Sequence, residues 1–102
     1  MIEITKENFE AEVLQSEVPV LVDFNATWCP PCRMLHPILE DLAKNADGKY
    51  KVASIDVDNN QDLAAKYHTS SIPTLIVFKN GEATQRSIGL VPKDKILAML
   101  EQ

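Results

Sequence analysis

Cys29 and Cys32 are the only cysteines in the chain, set three apart in Trp28-Cys29-Pro30-Pro31-Cys32, between an apolar run and a helical pattern. Disulfides are attacked by a thiolate, not a thiol. A free cysteine with a pKa near 8.5 is only about 3% thiolate at pH 7. The first turn of a helix offers unpaired N–H groups and the positive end of the macrodipole, and Cys29 stands at that position. Lowering its pKa to about 7 takes roughly 2 kcal/mol, which helix-end N–H groups and a hydrogen bond from the second thiol can supply. Cys32, one turn on, is within reach to resolve a mixed disulfide, and Pro31 in the first turn costs no helical hydrogen bond. As a staple the pair is poor, because a bridge closing so short a loop gains only about 2 kcal/mol. Two other readings stand beside redox chemistry. One is a pair of small buried thiols that happen to lie three apart. The other is zinc: His36 follows Cys32 on the same helical face, but a tetrahedral site needs His68 as well. Otherwise His36 is a partly exposed helix residue and His68 a loop residue, and no metal is expected.

The elements that must hold this pair follow from apolar periodicity. Ile2-Glu3-Ile4 reads as a short first strand. Thr5 caps a helix running to about Gln15, with Phe9, Val13 and Leu14 as its apolar face. Val18 to Phe24 is a nearly continuous β-branched run, typical of a strand buried on both faces. The helix opened by the cysteine motif repeats Leu35, Ile38, Leu39, Leu42 and Ala46, contains Pro37, which should kink it, and ends at Asp47-Gly48. Tyr50 to Asp58 alternates as a strand with Val52, Ile55 and Val57 apolar. Asn59 or Asn60 caps a short helix carrying Leu63, Ala64 and Tyr67. Thr74 to Phe78 is another buried strand, and Lys79-Asn80-Gly81-Glu82 a hairpin turn leading into Ala83–Ile88. Gly89 breaks that strand, and Pro92 opens a last helix with Ile96, Met99 and Leu100 inward. The order β-α-β-α-β-α-β-β-α predicts an α/β protein, with parallel strands from the alternating units and an antiparallel pair from the hairpin.

The 102 residues carry neither a linker nor a repeat, so residues 1–102 read as one domain. Surface scaling leaves roughly 5,800 Å² exposed from an extended chain of roughly 16,500 Å². With 45% hydrophobic residues that supports an independent core. Three glycines and six prolines argue against disorder or collagen-like repeats. A net charge of −5 repels phosphate backbones and anionic lipid, which disfavours nucleic-acid and membrane-surface partners. No apolar run reaches transmembrane length, and the start, Met1-Ile2-Glu3-Ile4, lacks the basic flank and apolar core of a signal segment. A cytoplasmic protein is expected.

Taken jointly, Val22-Asp23-Phe24, Ala26, Trp28-Cys29-x-Pro31-Cys32, Pro37, Ile72-Pro73-Thr74, Phe78-Lys79-Asn80-Gly81 and Gly89 resemble the thioredoxin family, in order and along essentially the whole chain. The resemblance implies a central mixed β-sheet of about five strands flanked by four helices. It implies a protein-disulfide reductase in which Cys29 attacks and Cys32 resolves. The implied partners are protein disulfides and a thioredoxin reductase drawing on NADPH, with no bound cofactor and a monomeric carrier. Asp23 matches a buried carboxylate that assists proton transfer at the resolving cysteine. A carboxylate inside Val20-Leu21-Val22-Asp23-Phe24 is desolvated, so its pKa should rise toward neutrality. The alternative for Asp23 is a strand-end residue bonded to a nearby backbone N–H. Pro73 matches a proline whose peptide bond is cis and faces the dithiol. Trp28, Val57, Ile72, Gly89 and Leu90, with Pro73, match an apolar rim where protein substrates dock; the alternative for Trp28 is ordinary core packing.

The chain also departs from the family pattern. Pro30 stands where glycine is usual, stiffening the loop and altering the balance of dithiol and disulfide. Asn25 replaces an aromatic, and Thr69 and Ser71 replace an apolar residue and a glycine. Ser54 replaces a lysine beside the buried carboxylate, which should push Asp23 further up. Two further functions fit the same residues: a thiol oxidase or isomerase running the chemistry in reverse, and a non-enzymatic binding module. No Gly-rich phosphate loop or flavin or haem motif is present.

Overall fold

A computed structural model describes residues 1–102. Its five strands are β1 (Ile2–Ile4), β2 (Val20–Asn25), β3 (Lys51–Asp56), β4 (Thr74–Lys79) and β5 (Glu82–Ile88), and its helices are α1 (Pro30–Lys44), α2 (Gln61–Lys66) and α3 (Lys93–Glu101). A fourth helical segment, Glu10–Leu14, is π-helical, not the α-helix expected over residues 5–15. Its Gln15 N–H reaches back five residues to the Glu10 carbonyl at 2.9 Å. Thr5 does cap the turn before it: Glu7 N–H donates to Thr5 Oγ1, and Asn8 Oδ1 accepts from Thr5 N–H. The exposed surface is 5747 Å², the value that size scaling gives for one compact body.

The strands order as β1-β3-β2-β4-β5 in one mixed sheet. Strand β2 begins at Val20, two residues later than its apolar run suggests, since Pro19 has no N–H to give a ladder. From Val20 to Phe24 it is buried throughout, as a central strand covered on both faces must be. Its side chains divide by parity. Leu21 packs with Leu35, Leu39 and Leu42 of α1 and with Ile96, Met99 and Leu100 of α3. Val20, Val22 and Phe24 pack on the opposite face with Phe9, Val13 and Phe78, flanked by Leu63 and Tyr67. Strand β3 also serves both faces: Val52 joins the α1 layer and Ile55 the other. Its apolar residues therefore do not form the one-sided alternation expected from the sequence, and it stops at Asp56, before Val57.

Sequence alternation predicts that β4 should run parallel to its neighbour. It does not: β4 is antiparallel to β2, with Thr74 opposite Phe24. After β3 the chain turns back through α2 and the cis Ile72–Pro73 bond and re-enters the sheet at the end where it left, beside Asn25 and Asp56. This places the start of β4 at the end of β2 from which the cysteine motif emerges.

Asn80 and Gly81 both have positive φ, 54° and 82°, giving the tight β4–β5 hairpin expected of Asn-Gly. Helix α1 continues through Pro37 for fifteen residues, packing Cys32, Leu35, Leu39 and Leu42 inward. Leu39 is fully buried between sheet and helix. Leu39→Ala is expected to lower stability by about 2–5 kcal/mol, read as a fall in the urea midpoint with an unchanged m-value.

Candidate redox site

Cys29 is the N-cap of α1, in extended conformation at φ −92° and ψ 110°. Pro30 and Pro31 follow as the first two helical residues. Neither has an N–H, so two of the donors that a helix start normally presents are missing. The first one present belongs to Cys32, and it points to Cys29 Sγ at 3.3 Å. The next, from Arg33, goes to the Cys29 carbonyl. The helix end thus offers Cys29 sulfur a single aimed N–H together with the macrodipole, fewer donors than its position alone suggests. Cys29 and Cys32 are joined as a disulfide with a Cα separation of 5.2 Å, and both are buried.

Three chain-distant segments meet at this pair. Val57 and Ile72 pack against Ala26, Cys29 and Cys32. The Ile72–Pro73 bond is cis, and the Ile72 carbonyl oxygen lies 3.9 Å from Cys29 Sγ. Gly89 N–H donates to the Pro73 carbonyl at 2.8 Å, and Gly89 takes φ +89°, a conformation that suits glycine. Trp28 is 62% exposed, which excludes core packing. Its indole Nε1–H donates to Asp58 Oδ2 at 2.8 Å. Of the five large hydrophobics left exposed, Trp28, Met34, Ile88 and Leu90 flank the cysteine motif or Gly89.

Asp23 has the parity of Leu21, so its side chain is on the α1 side of the sheet. It is 2% exposed and shares a cleft of about 320 Å³ with Asn25, Cys32, Arg33, His36 and Ser54. It is not at a strand end, and no backbone N–H bonds its carboxylate. Its one hydrogen bond within the protein comes from Asn25 Nδ2 to Oδ2, at 3.2 Å. Burial pushes its pKa up from 3.8 to about 7, opposed only by the Asn25 hydrogen bond.

The thioredoxin family model matches residues 1–102. Over 102 residues the chain is 47% identical to a thioredoxin of Staphylococcus haemolyticus, covering all of this chain and 96% of that one. It is 43% identical to thioredoxin C-2 of Corynebacterium nephridii over all of this chain and 94% of the relative. With a thioredoxin of Rickettsia bellii it shares 47% identity over 94 residues, 92% of this chain and 90% of the relative.

The chain belongs to the thioredoxin family. Its activity is accordingly thiol-disulfide oxidoreduction, working as a protein-disulfide reductase through the redox-active Cys29–Cys32 pair. The electrons are carried by protein sulfur itself. The family implies protein disulfides as substrates and a reductase as the partner that returns the dithiol. The five-stranded mixed sheet and its helical segments are those of the thioredoxin fold.

Two features of this thioredoxin site are absent from the reading of the sequence. Asp58 as the indole's partner and Asn25 as the carboxylate's partner both lie outside the cysteine motif. For Asn25 a signal existed, since residues two apart on a strand share a face. Asp58 offered none, being thirty residues from Trp28. The zinc geometry is not formed: His36 Nε2 pairs with Glu40 Oε1 at 2.7 Å, and His68 sits beyond α2 with its carbonyl bonded by Arg86. No three His, Cys, Asp or Glu side chains converge anywhere. No helix is long and apolar enough to cross a membrane.

Proposed function

We propose that Cys29 is the attacking thiolate, Cys32 the resolving thiol and Asp23 the proton acceptor for Cys32. The observation that carries this reading is the convergence of three groups: Cys29 at the helix N-cap, Cys32 donating its N–H to the Cys29 sulfur, and buried Asp23 sharing a cleft with Cys32. Cys29 sulfur displaces one thiolate from a target disulfide and forms a mixed disulfide. Cys32 thiol passes its proton to Asp23, attacks Cys29 sulfur and expels the second thiolate of the target. The target gains two electrons and the Cys29–Cys32 bridge closes.

Pro30, Pro31 and Pro73 shape this exchange. The first two fix the loop and leave one N–H for the sulfur, and Pro73 contributes no N–H beside the disulfide. Trp28, Val57, Ile72, Gly89 and Leu90 form the docking rim for an extended substrate segment. An NADPH-linked thioredoxin reductase would restore the dithiol. A single-domain monomer with its rim free fits substrate docking, and a cytoplasmic setting fits a dithiol that works only while a reducing pool maintains it.

A redox titration of Cys29/Cys32 against glutathione tests the direction of electron flow. A pair more reducing than the glutathione couple is expected, and one far more oxidising would turn the reading toward an oxidase. Trp28→Ala is expected to raise KM for a protein disulfide by about tenfold with little change in kcat. Reduction of a small disulfide, which makes no use of the rim, should stay unchanged. Equal losses on both substrates would remove Trp28 from the docking rim.

A further inference from the structure

Asn25 lies two residues after Asp23 on β2, so the two side chains share the α1 side of the sheet. Ser54 is directly across from Asp23 in the β2–β3 register. The Asn25 amide joins them. Its Nδ2 is 2.7 Å from Ser54 Oγ, 3.0 Å from the Asp23 carbonyl oxygen and 3.2 Å from Asp23 Oδ2. An amide nitrogen has two hydrogens. One satisfies Ser54, and the other is shared between the two oxygens of Asp23. Asp23 Oδ1 is left buried with no hydrogen bond inside the protein.

No cation holds this carboxylate. From α1, Arg33 donates to the Thr27 carbonyl and His36 pairs with Glu40. From β3, Ser54 is neutral, while Lys51 pairs with Glu12 and Asp56 bonds Asp58 N–H and Asn59 at the strand's two ends. From β4 the residue opposite Asp23 is apolar Leu75. The only group that fixes the carboxylate is a neutral amide, itself fixed by a serine.

We propose that Asn25, braced by Ser54, is a positioning residue for disulfide exchange: it holds Asp23 by Oδ2 and leaves Oδ1 to take the Cys32 proton. This rests on the proton-acceptor role assigned to Asp23 above. The chemistry favours an amide for the task. A lysine beside the carboxylate would stabilise its charged form strongly and resist protonation. An amide donates a weaker bond, so the acid moves between its two states at smaller cost while its orientation is retained. The proton passes from Cys32 sulfur to Oδ1 and leaves through the cleft when the carboxylate is restored.

The test uses Asn25→Leu, which keeps shape and removes the donor, Ser54→Ala, which removes the brace, and Ser54→Thr, which keeps its hydroxyl. The Asp23 carboxyl carbon is titrated by NMR in the oxidised protein. Single-turnover oxidation of the reduced protein by an aromatic disulfide then separates two bursts of coloured thiolate, the first from Cys29 attack and the second from Cys32 resolution. In Asn25→Leu the carboxyl midpoint is expected to rise by about one pH unit, the order of one charge-assisted hydrogen bond. The pH profile of the second burst should move with it and the first burst stay unchanged. Ser54→Ala should shift both midpoints the same way by less, and Ser54→Thr should restore them. Unmoved midpoints in Asn25→Leu and Ser54→Ala would overturn the proposal, as would slowing of both bursts without displacement of the profile. Should Asn25→Leu not fold, Ser54→Ala decides alone. Asp23→Asn separates the two levels. An unchanged second burst there removes the role of Asp23 itself, whereas a slowed burst with no shift in the other variants removes only that of Asn25.

Discussion

Cys29→Ser is expected to lower protein-disulfide reduction by about a thousandfold or more in kcat/KM. The serine hydroxyl stays protonated at neutral pH, and neither the helix end nor the Cys32 N–H can hold it as an anion, because the single donor aimed at position 29 stabilises a charge that is already accessible to sulfur. Cys32 does not substitute, because it lies inside α1 and its own N–H is aimed at the position 29 side chain, so its sulfur lacks the N-cap placement that favours a thiolate. Cys32→Ser gives a different result: Cys29 still attacks once, and the target is trapped as a mixed disulfide visible as a mass adduct on the intact protein. Thiol release from insulin measures the first variant and intact mass the second. Unchanged insulin reduction in Cys29→Ser would remove dithiol exchange as the mechanism.

Asp23→Asn is expected to stabilise the oxidised protein above neutrality by up to about 4 kcal/mol and to flatten its pH dependence. The sign follows from proton counts. Asp23 is raised from 3.8 to about 7 in the folded protein by burial. Between those values the folded state holds a proton that the unfolded state has lost, so stability falls as pH rises through this window. The contribution is complete below pH 4 and lost above pH 7, at about 1.4 kcal/mol per unit. Asparagine keeps the shape and carries no charge to desolvate. Urea midpoints at pH 4, 6 and 8 should diverge between wild type and variant toward high pH, and parallel curves would show that the buried carboxylate carries no such penalty. The same substitution should slow release of the target, so stability and exchange move in opposite directions.

The chemistry at the cysteines was legible because it is local. Cys29 and Cys32 lie within one helical turn, after an apolar strand and across two prolines that fit the first helical positions. The burial of Asp23 followed from its place inside an apolar run, and the hairpin from Asn80-Gly81, whose backbone needs are met by those two residues alone. Errors arose where periodicity lacks reach. Apolar spacing places Phe9 and Val13 in a helical segment against Tyr67 and Phe78, but it reaches neither the bounds, Glu10–Leu14, nor the i to i+5 bonding of Gln15 N–H to the Glu10 carbonyl. Apolar residues in β3 suggested one buried face, and the sheet gave it two.

Strand–helix handover, the cysteine spacing and the buried carboxylate were therefore determined by the order of residues, since each depends on neighbours within a turn or a strand. The direction of β4 was not. It depends on where the chain re-enters the sheet after α2, and through it the Ile72 carbonyl, forty-three residues away in sequence, comes to Cys29 sulfur. The Asn25–Ser54 bond, twenty-nine residues apart, likewise exists only once β2 and β3 lie in register. Side-chain pattern reports which face of an element is buried; it carries no information on which distant oxygen or amide will stand opposite, and that is decided by sheet pairing.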